Sequence, residues 1–183
     1  MDRLRRKGVY AVLLGALALA GCAQFGAADA ACPGRVVVPY GMVEVEDGAL
    51  LRQALGESGK GGLCAGKVLQ VRQALTVYRV WDDARPDSQF GRWWSFSPPA
   101  GPVSAYRREN AICPDWSALN AVKQCRLKVG AEIVVGPGQS ARCGDGMLLA
   151  ASPVNQVFIP NDTRDPSAVR LGVDDCQADV AWP

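Results

Sequence analysis

The sequence predicts an α+β domain, mainly antiparallel sheet with two or three short helices, stapled by disulfides. Strand-like segments outnumber helical ones and do not alternate with them regularly, which speaks against a parallel βαβ fold. Six of the seven cysteines, Cys32, Cys64, Cys113, Cys125, Cys143 and Cys176, run through residues 32–176. An even set of this kind reads as three disulfides, although sequence alone does not choose the pairing. The competing reading, metal ligation, is weak: no C-x-x-C pair occurs and the chain has no histidine.

The elements follow in order. Arg35-Val36-Val37-Val38-Pro39-Tyr40 and residues 42–46 are β-rich, the latter with Val43 and Val45 alternating against acids. Asp47-Gly48 is a turn signal, residues 49–55 have helical spacing, and residues 56–62 form a glycine-rich loop before Cys64. Val68-Leu69-Gln70-Val71 leads into Thr76-Val77-Tyr78-Arg79-Val80-Trp81, a strand candidate dense in β-branched and aromatic residues. After a polar loop over residues 82–92, Arg92-Trp93-Trp94-Ser95-Phe96-Ser97 reads as a short strand stopped by Pro98-Pro99. Residues 104–111 suit a short helix capped by Ser104. A second helix, capped by Asp115 or Ser117, is expected to run towards Cys125 with Trp116, Leu119, Ala121 and Val122 as its apolar stripe. Residues 127–135 read as a strand interrupted by Gly130, Gly136-Pro137-Gly138-Gln139-Ser140 as a turn, and residues 155–159 as a strand closed by Pro160.

Ahead of the domain, Arg3, Arg5, Arg6 and Lys7 precede a twelve-residue apolar run over residues 9–20. That is a charged n-region and an h-region. A permanent span needs about 20 apolar residues, so the run is an address to be removed. Its end, Leu19-Ala20-Gly21-Cys22, resembles the bacterial lipobox, in which a diacylglycerol is attached to the cysteine and the chain is cut before it. The resemblance implies residues 1–21 as signal peptide, 22–31 as lipidated tether and 32–183 as an extracytoplasmic domain. The membrane is then a partner through Cys22. Ala23, where inner-membrane lipoproteins carry aspartate, implies an outer membrane, facing periplasm or surface, if the host has one.

Processing also changes the charge. The leader holds four of the 20 Lys+Arg and one of the 18 Asp+Glu, leaving 16 against 17, net −1. With no basic patch there is no electrostatic case for nucleic-acid binding.

Absences prune the chemistry further. Without histidine the chain has no Ser-His-Asp or Cys-His nucleophile of its own. The glycine-rich Gly136-Pro137-Gly138 stretch lacks the lysine of a P-loop and the spacing of a dinucleotide fingerprint. No metal or bound cofactor is expected.

One constellation has chemical content. Tyr78-Arg79 on a strand, then Gly91-Arg92-Trp93-Trp94-Ser95-Phe96-Ser97-Pro98, then Asn155-Gln156-Val157 resembles, in order and spacing, NAD-cleaving members of the ADP-ribosyltransferase superfamily, of the tuberculosis necrotizing toxin type. The resemblance spans residues 76–160 and implies NAD as substrate, with Arg79 and Gln156 catalytic and Arg92, Trp93, Trp94, Ser95 and Ser97 substrate-binding. Arginine suits a pyrophosphate through planar, charge-assisted hydrogen bonds. Cleavage of the nicotinamide bond builds oxocarbenium character, which needs hydroxyl contacts and electrostatics more than a nucleophile. In such a site Gln156 orients ribose hydroxyls and a tryptophan stacks on a flat ring.

The same residues have plainer roles open to them. Strand alternation turns one of Trp93 and Trp94 to the core. Arg79 can pair with Asp82 or Asp83, and Gln156 can bond a neighbouring loop. The alternative function is therefore a non-catalytic envelope lipoprotein that binds a protein or a glycan.

Overall fold

The computed structural model describes residues 32–161 and 172–183; the leader, Cys22 and the tether lie outside the described residues. Eleven strands and two α-helices are assigned among them, with antiparallel pairing in every sheet.

The larger sheet is built on its middle strand. In β6 (Glu132–Gly138) every residue from Ile133 on is buried, so both faces carry apolar load. It pairs β2 (Lys67–Val71) on one side and β9 (Ser152–Phe158) on the other; β1 (Met42–Glu44) extends the sheet past β2, and β4 (Trp93–Trp94) past β9. The two-residue period sorts side chains into two cores. Ile133, Val135, Leu69, Val71 and Val157 join the main core, whereas Val134, Val68 and Phe158 face the opposite way, under α1 (Gly48–Ala54). That helix starts at Asp47, whose Oδ1 accepts from the N–H groups of Ala49 and Leu50 at 2.9 Å each. It buries Leu50 and Ala54, one turn apart.

The smaller sheet centres on β5 (Ala121–Leu127). Its register with β3 (Thr76–Trp81) is continuous from Thr76 opposite Arg126 to Trp81 opposite Ala121. On the other edge β10 (Val173–Asp174) and β11 (Val180–Ala181) pair its two ends. A short hairpin, β7 (Ala141–Arg142) with β8 (Leu148–Leu149), stands apart. The two main sheets meet where Tyr78 and Ser95 exchange backbone hydrogen bonds of 2.8 Å.

The α+β fold and three disulfides are as expected, with pairs Cys32–Cys64, Cys113–Cys143 and Cys125–Cys176. Several local expectations are corrected. The helix α2 (Val103–Asn110) begins at Pro102 without a side-chain cap, and Ser104 lies inside it. The expected second helix does not form: Leu119 is left-handed at φ 57°, and residues 121–127 belong to β5. Residues 127–135 are not one strand, because Gly130, at φ 89°, turns the chain between β5 and β6. Gly136, Pro137 and Gly138 lie inside β6 rather than in a turn. A Cβ on Gly136 would sit 1.9 Å from the Ala65 carbonyl oxygen, so this glycine serves close backbone approach.

Candidate functional site

Where the sheets diverge, a pocket of about 190 Å³ opens between β3, β4, β9, the C-terminal end of α2 and the loop after it. Arg79, Trp93, Trp94 and Gln156 all line it, brought together across 77 residues of sequence by the β3–β4–β9 junction. Tyr106, Asn110, Trp116 and Ser117 complete the polar and aromatic wall.

Register explains the placement of Gln156. Trp93 lies opposite Phe158 and Trp94 opposite Val157, so Gln156, two residues from Phe158, shares the face of Trp93. The Trp93 and Phe158 rings meet edge-to-face at 5.1 Å. Gln156 is buried and its Nε2 donates to the Asn110 carbonyl at 3.0 Å. Its Oε1 accepts no hydrogen bond from the described residues. Trp94 is the tryptophan turned to the core, with Nε1 donating to the Gly91 carbonyl at 2.7 Å.

Arg79 is held as a strut. Its Nε donates to the Ser88 carbonyl and its Nη1 to the Trp93 carbonyl, both at 2.8 Å. Gly91 leaves room for the guanidinium, since a Cβ there would lie 2.3 Å from Nη2. Among the described residues no carboxylate comes within ion-pair distance of Arg79; Asp82 pairs with Arg85 instead, at 3.5 Å. Burial pushes the Arg79 guanidinium down to about 10, so it keeps its charge at neutral pH. Burial likewise pushes the Tyr106 phenol up to about 12, with Arg79 pulling it down and Glu109 adding to the rise. The site therefore holds a retained cation beside a neutral phenol and aromatic walls.

The outer wall has no regular secondary structure and is tied in place. Arg107 donates to the carbonyls of Cys113 at 3.2 Å, Ser117 at 2.7 Å and Ala118 at 3.0 Å, and burial lowers its pKa. The Asp82 carboxylate accepts from the Ala118 N–H at 3.3 Å. The Cys113–Cys143 bridge anchors the start of this loop.

Three expected site residues fall outside the pocket wall. Arg92 is exposed and its Nε donates to the Asn161 carbonyl at 3.1 Å, past the end of β9. The Ser95 Oγ accepts from the Ser97 N–H at 3.1 Å in a local turn, and Ser97 is exposed. Tyr106, Asn110, Ser117 and, as a pocket residue, Trp116 went unforeseen, because no local motif marks them. Cys113, Asp115 and Cys143 lie close enough together to suggest a cation site, but both sulfurs are bonded to each other and offer no thiolate.

No family model, curated protein or solved structure matches this chain.

Proposed function

We propose that the chain is a membrane-anchored envelope lipoprotein whose domain engages NAD by its nicotinamide end and cleaves the glycosidic bond. The observation that carries the reading is the convergence of Arg79, Trp93, Trp94 and Gln156 on one concave pocket. At about 190 Å³ that pocket is smaller than sites for whole drug-sized ligands, roughly 300–1,000 Å³, so it suits one flat ring and leaves the rest of a dinucleotide outside. Trp93 supplies a stacking surface, and the Gln156 Oε1, which accepts nothing from the described residues, an acceptor for a ribose hydroxyl. Arg79 supplies positive charge near the ring rather than a pyrophosphate clamp, because two of its five N–H groups are committed to Ser88 and Trp93.

The mature chain bearing Cys22→Ser, oxidised and soluble, is incubated with NAD and nicotinamide release is followed chromatographically. Release that disappears in Gln156→Leu, with the fold intact by circular dichroism, supports the reading. No release at high protein concentration, or equal release by Gln156→Leu, removes it.

A second reading draws on the bonding of Arg79 to Ser88 and Trp93 and of Gln156 to Asn110: a non-catalytic module, with a protein or glycan partner, in which these groups brace the sheets. It takes over if NAD is neither bound nor cleaved.

A further inference from the structure

The segment that enters the fold from the N-terminal side is unusually apolar on its outer surface. Val37, Val38 and Tyr40 lie within four residues and are 63%, 41% and 85% exposed. The chain here is not loose. The Val37 N–H donates to Asn155 Oδ1 at 3.0 Å and Asn155 Nδ2 donates to the Arg35 carbonyl at 2.8 Å, pinning the segment beside β9. Val36, between these contacts, packs on the main core. The outward Val37, Val38 and Tyr40 are therefore presented by a fixed backbone, whereas Val43, next to the buried Met42 on β1, turns to the α1 side of the sheet.

We infer that this face docks on the bilayer surface beside the lipid anchor. The inference rests on the lipoprotein reading of Cys22. Chain length argues for the membrane as occupant: Cys32 lies ten residue steps after Cys22, a span of at most about 35 Å, while Val37 follows Cys32 by five more, or about 18 Å. Cys32 is fixed to the domain by its bridge to Cys64. An anchor this short keeps the apolar face at high local concentration over the lipid, so weak partition of each side chain is enough.

Charge fits as well. Arg35 and Arg72 are exposed on either side of the run, and the Arg72 N–H bonds the Gly41 carbonyl next to Tyr40 at 2.8 Å. The first acid after the run in sequence, Glu44, is paired with Lys67 at 2.6 Å; Glu46, also exposed, lies beyond the end of β1. Arginines flanking valines, with a tyrosine between them, match a phosphate layer over acyl chains.

The test uses the mature, lipidated chain in phosphatidylcholine vesicles containing some phosphatidylglycerol. Its tyrosines, Tyr40, Tyr78 and Tyr106, are replaced biosynthetically by 3-fluorotyrosine and read by fluorine NMR, with Tyr40→Phe assigning the resonance. Docking predicts that the protein floats with vesicles and that Tyr40 is broadened by a nitroxide lipid. It also predicts that Tyr40 is shielded from a soluble gadolinium chelate several-fold more than in the Cys22→Ser form. Val37→Ser with Val38→Ser, both at exposed positions, should restore access to the chelate.

A protein that floats yet leaves Tyr40 as open as in Cys22→Ser overturns docking and leaves the anchor standing. Shielding without nitroxide broadening assigns the face to another protein copy, which also overturns it. Failure to float removes the anchor and the docking together.

Discussion

The strut formed by Arg79 and Gly91 makes a prediction whose size can be worked from the contacts. Arg79→Leu removes two hydrogen bonds from a charged donor, each worth about 1.5–3 kcal/mol, and strands the Ser88 and Trp93 carbonyls. Relief of desolvating a cation offsets part of this, leaving a net loss of about 2–4 kcal/mol. Gly91→Ala introduces a methyl 2.3 Å from Nη2, against a guanidinium that its bonds prevent from swinging away. Overpacking of this kind costs about 1–3 kcal/mol. With Arg79→Leu in place the methyl no longer meets Nη2, so the cost of Gly91→Ala should largely vanish. The two losses must then be strongly non-additive. Guanidinium denaturation of the four proteins, followed by tryptophan fluorescence, measures the cycle. Additivity within about 0.5 kcal/mol would refute the strut.

Other consequences are narrower. Asp47→Ala should lower stability by about 1 kcal/mol, since it uncaps the Ala49 and Leu50 N–H groups while leaving the core intact; denaturant midpoints with unchanged slope would show it. Replacing Cys125 and Cys176 together by serine should cost about 2–4 kcal/mol, read in the same assay, because that bridge closes the longest of the three loops, a separation of 51 residues. In a spectrophotometric titration one tyrosine should ionise near pH 12, and Tyr106→Phe should abolish that step. The folded state holds this proton more tightly than the unfolded chain. The stability it contributes is therefore intact below pH 10 and fades as pH climbs towards 12, a loss that Tyr106→Phe should remove.

What could be read in advance depended on whether the signal was local. The density of β-branched and aromatic residues in 68–71, 76–81 and 155–159 is a local signal, and α1 carries its apolar residues at Leu50 and Ala54, so these elements appear close to where expected. Residues 115–125 satisfy a helical spacing equally well. What decides for a strand is the unbroken ladder with β3, a pairing made with residues some 45 positions away and invisible in the local pattern. Glycine gave a false turn signal at residues 136–138, because neither a close approach nor a turn tolerates a Cβ and the composition is the same for both. At the site, Arg79, Trp93, Trp94 and Gln156 sit on strands whose order in the fold matches their order in the motif. Arg92 and Ser97 flank the short β4 strand and are exposed, and Ser95 serves its bridge to β3; the Arg92 Nε donates to the Asn161 carbonyl and the Ser95 Oγ accepts from the Ser97 N–H instead. Tyr106 and Trp116 reach the pocket through the way α2 and its exit loop fold back, for which no spacing rule exists.

That exit loop ties the shape of the pocket to the redox state of the chain. A wall without ladder hydrogen bonds holds its shape only through specific ties. Here these are three carbonyls gathered by the Arg107 guanidinium and that of Trp116 held by Arg85, one amide held by Asp82, and a covalent bridge at Cys113. The first two kinds of tie act only once the loop is already near its final path, because hydrogen bonds of about 3 Å have no reach. The bridge acts earlier: it links Cys113 to Cys143 across 30 residues and confines the loop in the unfolded chain too. Such a bridge persists in oxidising compartments and is rare in the cytosol. The wall that carries Trp116 and Ser117 is thus best formed where the Cys113–Cys143 bridge can stay oxidised.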